Sequence, residues 1–205
     1  MSVLPNALTL ARIALVPLFV AAFFLPEPFG PWTVFFLFCL AGITDAVDGM
    51  VARRLNAESS FGRMLDPIAD KLIVSAALLM LASQTETLRD WVFLVPALVI
   101  LCREILVSGL REFLAGADVS LPVSRIAKMK TVVQVGAIAV LMACSASERY
   151  MPGLTRDGLI GLWIAAALTF YTGYAYLQAG LVHARGPEKP RARARTAPNA
   201  NHTVA

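Results

Sequence analysis

Three cysteines are all that the 205 residues contain: Cys39, Cys102 and Cys144. The number is odd, each falls inside an apolar run, and no spacing among them suits a metal. That excludes a disulfide framework and a zinc site and leaves apolar thiols. The amino-terminal apolar run lacks a basic segment ahead of it and a small-residue cleavage site, and its one arginine, Arg12, lies inside the run. It therefore reads as a retained span rather than a secretory signal. Basic residues are scarce in three of the five breaks between apolar runs, where only Arg89, Arg149 and Arg156 occur. No internal repeat is visible, which weighs against the inverted-repeat architecture common in transporters.

Apolar residues are abundant: 58% of the chain, against roughly half in a soluble domain. That excess needs lipid to cover it. Windows of about 20 residues, the length that crosses the hydrocarbon core, give six spans: Leu8–Leu25, Trp32–Val51, Ile68–Ser83, Trp91–Leu114, Ile126–Ala143 and Leu159–Leu181. The expected fold is all-α and polytopic, with both termini on one side. Arg53, Arg54, Arg63 and Lys71 flank the second break, Arg103, Arg111, Arg125, Lys128 and Lys130 the fourth, and five basic residues lie in the tail. By the positive-inside rule that side is cytoplasmic. Residues 1–183 form the membrane domain; residues 184–205 alternate Arg with Ala and Pro, have no apolar face, and read as a disordered basic tail drawn to anionic lipid. No nucleic-acid partner is expected.

Acidic residues inside the spans carry the chemistry. Asp45 and Asp48 are separated by about 60° around a helix, and Asp45 and Gly49 by about 40°, so they share a face. Asp66 and Asp70 are one turn apart at the start of the third span, with Asp66 the expected cap and Pro67 the first helical residue. If the helix starts earlier, Pro67 distorts it and the one-turn relation survives. Asn6, after Pro5, is the expected cap of the first helix.

A single Asp at a helix end is most often a solvated cap. Four in register, with Gly49, Gly62 and Arg53 between the pairs, are not. Each charge in a membrane helix costs roughly 2.5 kcal/mol or more, less near the interface, so a cation must compensate. Mg²⁺ or Mn²⁺, as one ion or two, suits carboxylates combined with phosphate oxygens. The glycines admit a substrate backbone, Arg53 offers a planar fork to phosphate, and Ser59 and Ser60 add hydroxyls. The rival from another class is an ion or proton transporter, since intramembrane carboxylates mark conduction paths; here the acids cluster at one face.

Asp45-x-x-Asp48-Gly49-x-x-Ala52-Arg53, eight residues, then Gly62-x-x-x-Asp66-x-x-x-Asp70 resembles the complete signature of the CDP-alcohol phosphatidyltransferases. The resemblance implies six spans, metal bound by Asp45, Asp48, Asp66 and Asp70, and Asp70 as general base on an acceptor hydroxyl. It also implies CMP held by Asp48, Gly49, Arg53, Ser59 and Gly62, and a homodimer in a bacterial cytoplasmic membrane. Pro5-Asn6-x-Leu8-Thr9-x-x-Arg12 adds Asn6 and Thr9 to the CDP-lipid contacts. With Arg103 to Glu112 and Lys128-Met129-Lys130-Thr131, it is similar to the bacterial branch that joins CDP-diacylglycerol to sn-glycerol 3-phosphate. Inositol phosphate or serine remains the alternative acceptor. Ala127 stands where many relatives have Gly, a small change of backbone freedom.

An anionic acceptor needs fixed cations. Arg103 and Arg111 are about 80° apart on a helix and can lean towards one cavity, with Glu104 and Glu112 placed to orient them. Lys128 and Lys130 are nearly opposed if both are helical, and either can serve simply as a topology charge.

Overall fold

The structure is a computed structural model that describes residues 3–55, 60–84, 90–116, 125–147 and 153–185. These form six helices and, among the described residues, no strand: α1 (Val3–Ala22), α2 (Phe29–Leu55), α3 (Ser60–Gln84), α4 (Trp91–Gly116), α5 (Arg125–Ser147) and α6 (Leu154–Arg185). The expected spans each fall on one helix, and the departures are at the ends. α1 starts at Val3, so Pro5 and Asn6 lie within its first turn and Asn6 is not the cap. A proline is tolerated there because first-turn amides have no intrahelical acceptor. α3 starts at Ser60, so Asp66 is not a cap either, and Pro67 sits inside the helix. The one-turn spacing of Asp66 and Asp70 is kept. α6 continues through Ala184 and Arg185, and the rest of the expected tail lies outside the described residues.

Among the described residues, four helices carry apolar stretches long enough to cross a membrane: Pro67–Gln84, Trp91–Leu114, Lys128–Ser145 and Leu154–Gln178. α1 and α2 carry shorter ones, Leu10–Ala22 and Phe29–Asp45. Large apolar side chains cover the outside, among them Phe24, Phe36, Ile105, Val132 and Phe170. Water would not tolerate such a surface; lipid does.

The interior is close-packed around Phe19, Phe38, Leu78, Leu81, Phe93, Ile100, Ile138, Leu141 and Leu162. α6 packs most extensively on α5 and α4, while α1 packs on α2 and α3. Small residues on α6 set the first of these distances. A Cβ on Gly158 would lie 2.7 Å from the Leu141 side chain, and one on Gly161 would lie 3.0 Å from Ala137 Cβ. Close backbone approach of this kind is how helices associate in lipid, where apolar burial gives no drive. α4 and α6 run parallel, since Val92–Trp163, Arg103–Thr172 and Arg111–Tyr176 contacts advance together along both. The chain's up-and-down course then brings the start of α1, α3 and α5 to the same end of the bundle as the finish of α2, α4 and α6.

Candidate active site

At that end every helix contributes a polar side chain to a series of contacts. Arg12, on α1, is buried to 1% side-chain exposure, with Nη1 2.9 Å from Asp70 Oδ1 and 3.0 Å from Asp45 Oδ1. A guanidinium in a low-dielectric interior must be paired, and here one nitrogen holds a carboxylate from α2 and another from α3. Asp45 and Asp70 themselves are about half exposed, so a ligand can reach them. The spacing of the two carboxylates is thereby capped: they can be no further apart than the two contacts laid end to end. Within this trio the carboxylates outnumber the cation.

The donor set fits a hard divalent ion, being all carboxylate oxygen and converging from two helices. Among the described residues no group of three or more acidic, His or Cys side chains forms a metal cage. Asp48, Gly49 and Arg53 lie further along α2, and Gly62 and Asp66 on the first turns of α3. The side-chain surroundings of these five residues lie outside the described residues, as do those of Asn6 and Thr9 on α1 and all of Ser59.

Lys71 follows Asp70 and carries the series to α4, its Nζ donating to the Ser108 hydroxyl. It lies within electrostatic range of Asp70, Glu104, Arg111 and Glu112, so the carboxylate corner and the cationic corner belong to one site. Arg103 Nη1 is 3.3 Å from Glu104 Oε1, the same oxygen that accepts from Lys130 Nζ on α5. Arg103 Nη2 donates to Thr172 Oγ1 at 2.9 Å, and Arg111 Nη2 donates to the Tyr176 hydroxyl at 3.3 Å. Among the described residues no carboxylate pairs with Arg111 or Lys71. Of these four cations only Arg103 and Lys130 bond a carboxylate, Glu104, among the described residues, which leaves Lys71 and Arg111 able to meet an anionic guest.

The lysine pair separates clearly. α5 begins at Arg125, so both lysines are helical; Lys130 is buried against Glu104 while Lys128 is exposed. Glu104 orients an arginine as expected, but Glu112 is exposed and pairs with neither arginine among the described residues.

Comparison with known proteins fits this arrangement. The profile of the CDP-alcohol phosphatidyltransferases matches residues 2–171. The chain belongs to the CDP-alcohol phosphatidyltransferase family. A protein of Rickettsia bellii is 48% identical over 176 residues, covering 86% of this chain and 94% of its own length. Relatives from Pectobacterium atrosepticum and Escherichia coli K12 are 41% and 38% identical, each covering 86% of this chain and 93% of their own lengths. All three are named CDP-diacylglycerol–glycerol-3-phosphate 3-phosphatidyltransferase.

As a member of this phosphatidyltransferase family with lipid-length apolar helices, the chain is a membrane protein. Its family signature spans α2 and α3, and the structure adds residues that sequence reasoning gave no role. Arg12 joins the signature's first and last aspartates, across 58 residues of chain to Asp70. Ser108, Thr172 and Tyr176 hold cations. The available signal was an arginine within the first apolar run, and on α6 a stripe of polar and small residues, Thr169, Thr172, Gly173, Tyr176 and Gly180, at helical spacing.

Proposed function

We propose that this enzyme transfers the phosphatidyl group of CDP-diacylglycerol to sn-glycerol 3-phosphate, giving phosphatidylglycerophosphate and CMP. The observation that carries the reading is the continuity of the site, from the Asp45–Arg12–Asp70 trio through Lys71 and Ser108 to the Arg103–Arg111 cluster. A carboxylate able to take a proton lies beside a set of cations able to hold an anionic acceptor. The names of the relatives at 38–48% identity support the same substrates.

Asp70 is the general base, accepting the proton of the acceptor hydroxyl as that oxygen attacks the lipid-side phosphorus. The bond between this phosphorus and the CMP oxygen breaks, and CMP leaves with the electron pair. Arg12 aims Asp70 while fixing its distance from Asp45. Arg103, Arg111 and Lys130 take the acceptor phosphate, with Lys128 on the rim, and Asn6, Thr9, Asp48, Gly49, Arg53, Ser59 and Gly62 bind the CDP-lipid. Members of the family generally depend on a divalent metal. Asp45, Asp48, Asp66 and Asp70 would hold Mg²⁺ or Mn²⁺, which when bound supplies positive charge opposite the pyrophosphate. Positioning and charge neutralisation account for most of such catalysis.

The same reading sets all six helices across the bacterial cytoplasmic membrane, with the charged end and both termini in the cytoplasm. The Lys/Arg asymmetry of the breaks supports it. The functional unit is a homodimer, which mass measurement in detergent checks. The deciding assay gives purified protein CDP-diacylglycerol with each acceptor in turn and follows CMP. Release with glycerol 3-phosphate, and not with inositol phosphate, serine or glycerol, is expected. Release only with another acceptor would move the enzyme to a different branch of the family, and ion transport without CMP release would remove it from enzymes altogether.

A further inference from the structure

Arg103 and Arg111 are eight residues apart on α4, about 12 Å along the axis. Both are long, like-charged side chains that would splay apart if left alone, and each loses rotamer freedom on ordering. They do not splay. The Tyr176 ring on α6 lies under both, its centroid 5.9 Å from Arg103 Cζ and 5.4 Å from Arg111 Cζ. Each distance is within cation–π range. The ring is only 8% exposed, so its place is fixed by packing rather than by the arginines.

Two neighbours on the same helix complete the grip. Thr172 is 4% exposed, and its hydroxyl bonds back to Leu168 O at 2.9 Å and Thr169 O at 3.1 Å. A hydroxyl has one proton to donate and two lone pairs, so the oxygen still accepts from Arg103 Nη2. Gly173 clears the path of the Arg103 stem: a Cβ there would stand 2.9 Å from Arg103 Cγ and 3.4 Å from its Nε. Most of the guanidinium donors stay uncommitted. Arg111 spends one N–H on Tyr176, and Arg103 Nε has no partner among the described residues.

We propose that Tyr176, with Thr172 and Gly173, is a positioning clamp that converges Arg103 and Arg111 into one anion pocket, so that α6 sets the enzyme's preference for a phosphorylated acceptor. The family profile ends at residue 171, one residue before the clamp begins. The clamp lies on α6, while α2 and α3 carry the common chemistry. The proposal rests on the acceptor reading above.

The test measures KM for glycerol 3-phosphate and for CDP-diacylglycerol in Tyr176→Phe, Tyr176→Leu and Gly173→Ala, with inorganic phosphate binding followed by calorimetry. Tyr176→Phe keeps the ring and loses one hydrogen bond, so acceptor KM should rise about 2- to 10-fold. Tyr176→Leu loses both cation–π contacts as well and should raise it about 10- to 50-fold. Gly173→Ala should fall between them. The CDP-lipid KM should stay within twofold in all three, and inorganic phosphate affinity should fall in the same order. A Tyr176→Leu protein with wild-type acceptor KM overturns the clamp and leaves the proposed reaction standing. Equal rises in both KM values also overturn it, because they mark a general loss of structure. If the wild type ignores glycerol 3-phosphate, the proposed reaction falls instead, and the phosphate titration alone decides the clamp: unchanged affinity in the isosteric Tyr176→Phe and in Tyr176→Leu would sink it.

Discussion

The two ends of the bundle solve the same problem, joining six helices, by opposite means. At one end rings and small residues meet: Phe19 stands edge-on to Phe23 at 5.2 Å, and Trp91 to Trp163 at 6.5 Å. The Trp163 indole N–H donates to the Val92 carbonyl, and the Asp90 carboxylate accepts from the next backbone amide. The polar groups in these contacts are satisfied locally. At the other end Arg12, Lys71, Arg103, Glu104 and Lys130 bond across helices. Charges in such surroundings cost free energy that apolar residues would not. An end assembled this way is stable in service of a reaction, whereas the aromatic end is stable for its own sake.

The comparison breaks most sharply at the carboxylates. Asp70→Asn should lower kcat by a factor of about 10² to 10⁴, the usual span for a general base, and Asp45→Asn should be comparably severe while the protein stays folded in the membrane. Chelator should abolish wild-type turnover, with Mg²⁺ or Mn²⁺ restoring it. Ordinary turnover by Asp70→Asn would remove its role as base. Next come the arginines. Ala at 103 or 111 should raise the glycerol 3-phosphate KM about 10- to 150-fold, the equivalent of a charge-assisted hydrogen bond worth roughly 1.5–3 kcal/mol. Lys at either site should rescue only in part, because a point charge cannot reproduce a planar fork. Both results would be visible in kinetics and nearly silent in melting.

The aromatic end should behave the other way round. Phe19 is fully buried, and Phe19→Ala should cost about 3 kcal/mol of stability through the cavity it leaves. The surviving folded enzyme should keep its kcat and both KM values. A fall in kcat without loss of stability would mean that the two ends are coupled, and the division drawn above would fail.

Sequence alone revealed the division more clearly than its wiring. Asp45, Asp48, Asp66 and Asp70 stand out because acids inside apolar runs are costly and because their spacing is local. The start of α3 was harder to read, since Pro67 imitates a first helical residue, yet Ser60 to Asp66 already belong to the helix. Arg12 was visible as an oddity, but Asp45 and Asp70, which it bonds, are 33 and 58 residues away, and no periodicity reports such a contact. Thr172 and Tyr176 were hidden for another reason. A threonine and a tyrosine in a membrane helix are as compatible with lipid as with a site, and only the packing of α6 on α4 distinguishes the two.

The smallest expected effect is also the finest test, and it concerns two lysines two residues apart. On one helix such residues point about 160° away from each other, so only one can face the bundle. Lys130 is buried and bonded to Glu104, whose same oxygen also lies 3.3 Å from Arg103 Nη1. Lys130→Ala leaves Glu104 with Arg103 alone, draws that guanidinium towards the carboxylate, and should raise acceptor KM about 10-fold, as loss of one charged hydrogen bond allows. Lys128 is exposed and touches none of these groups, so Lys128→Ala should change acceptor KM by less than about threefold, within what screened surface charges contribute. Steady-state kinetics of the two variants at low and high salt separates the cases. The Lys130 effect should persist at high salt, and the Lys128 effect should vanish. A Lys128 effect that equals that of Lys130 and survives salt would place Lys128 in the pocket and would require the first turn of α5 to unwind when the acceptor binds.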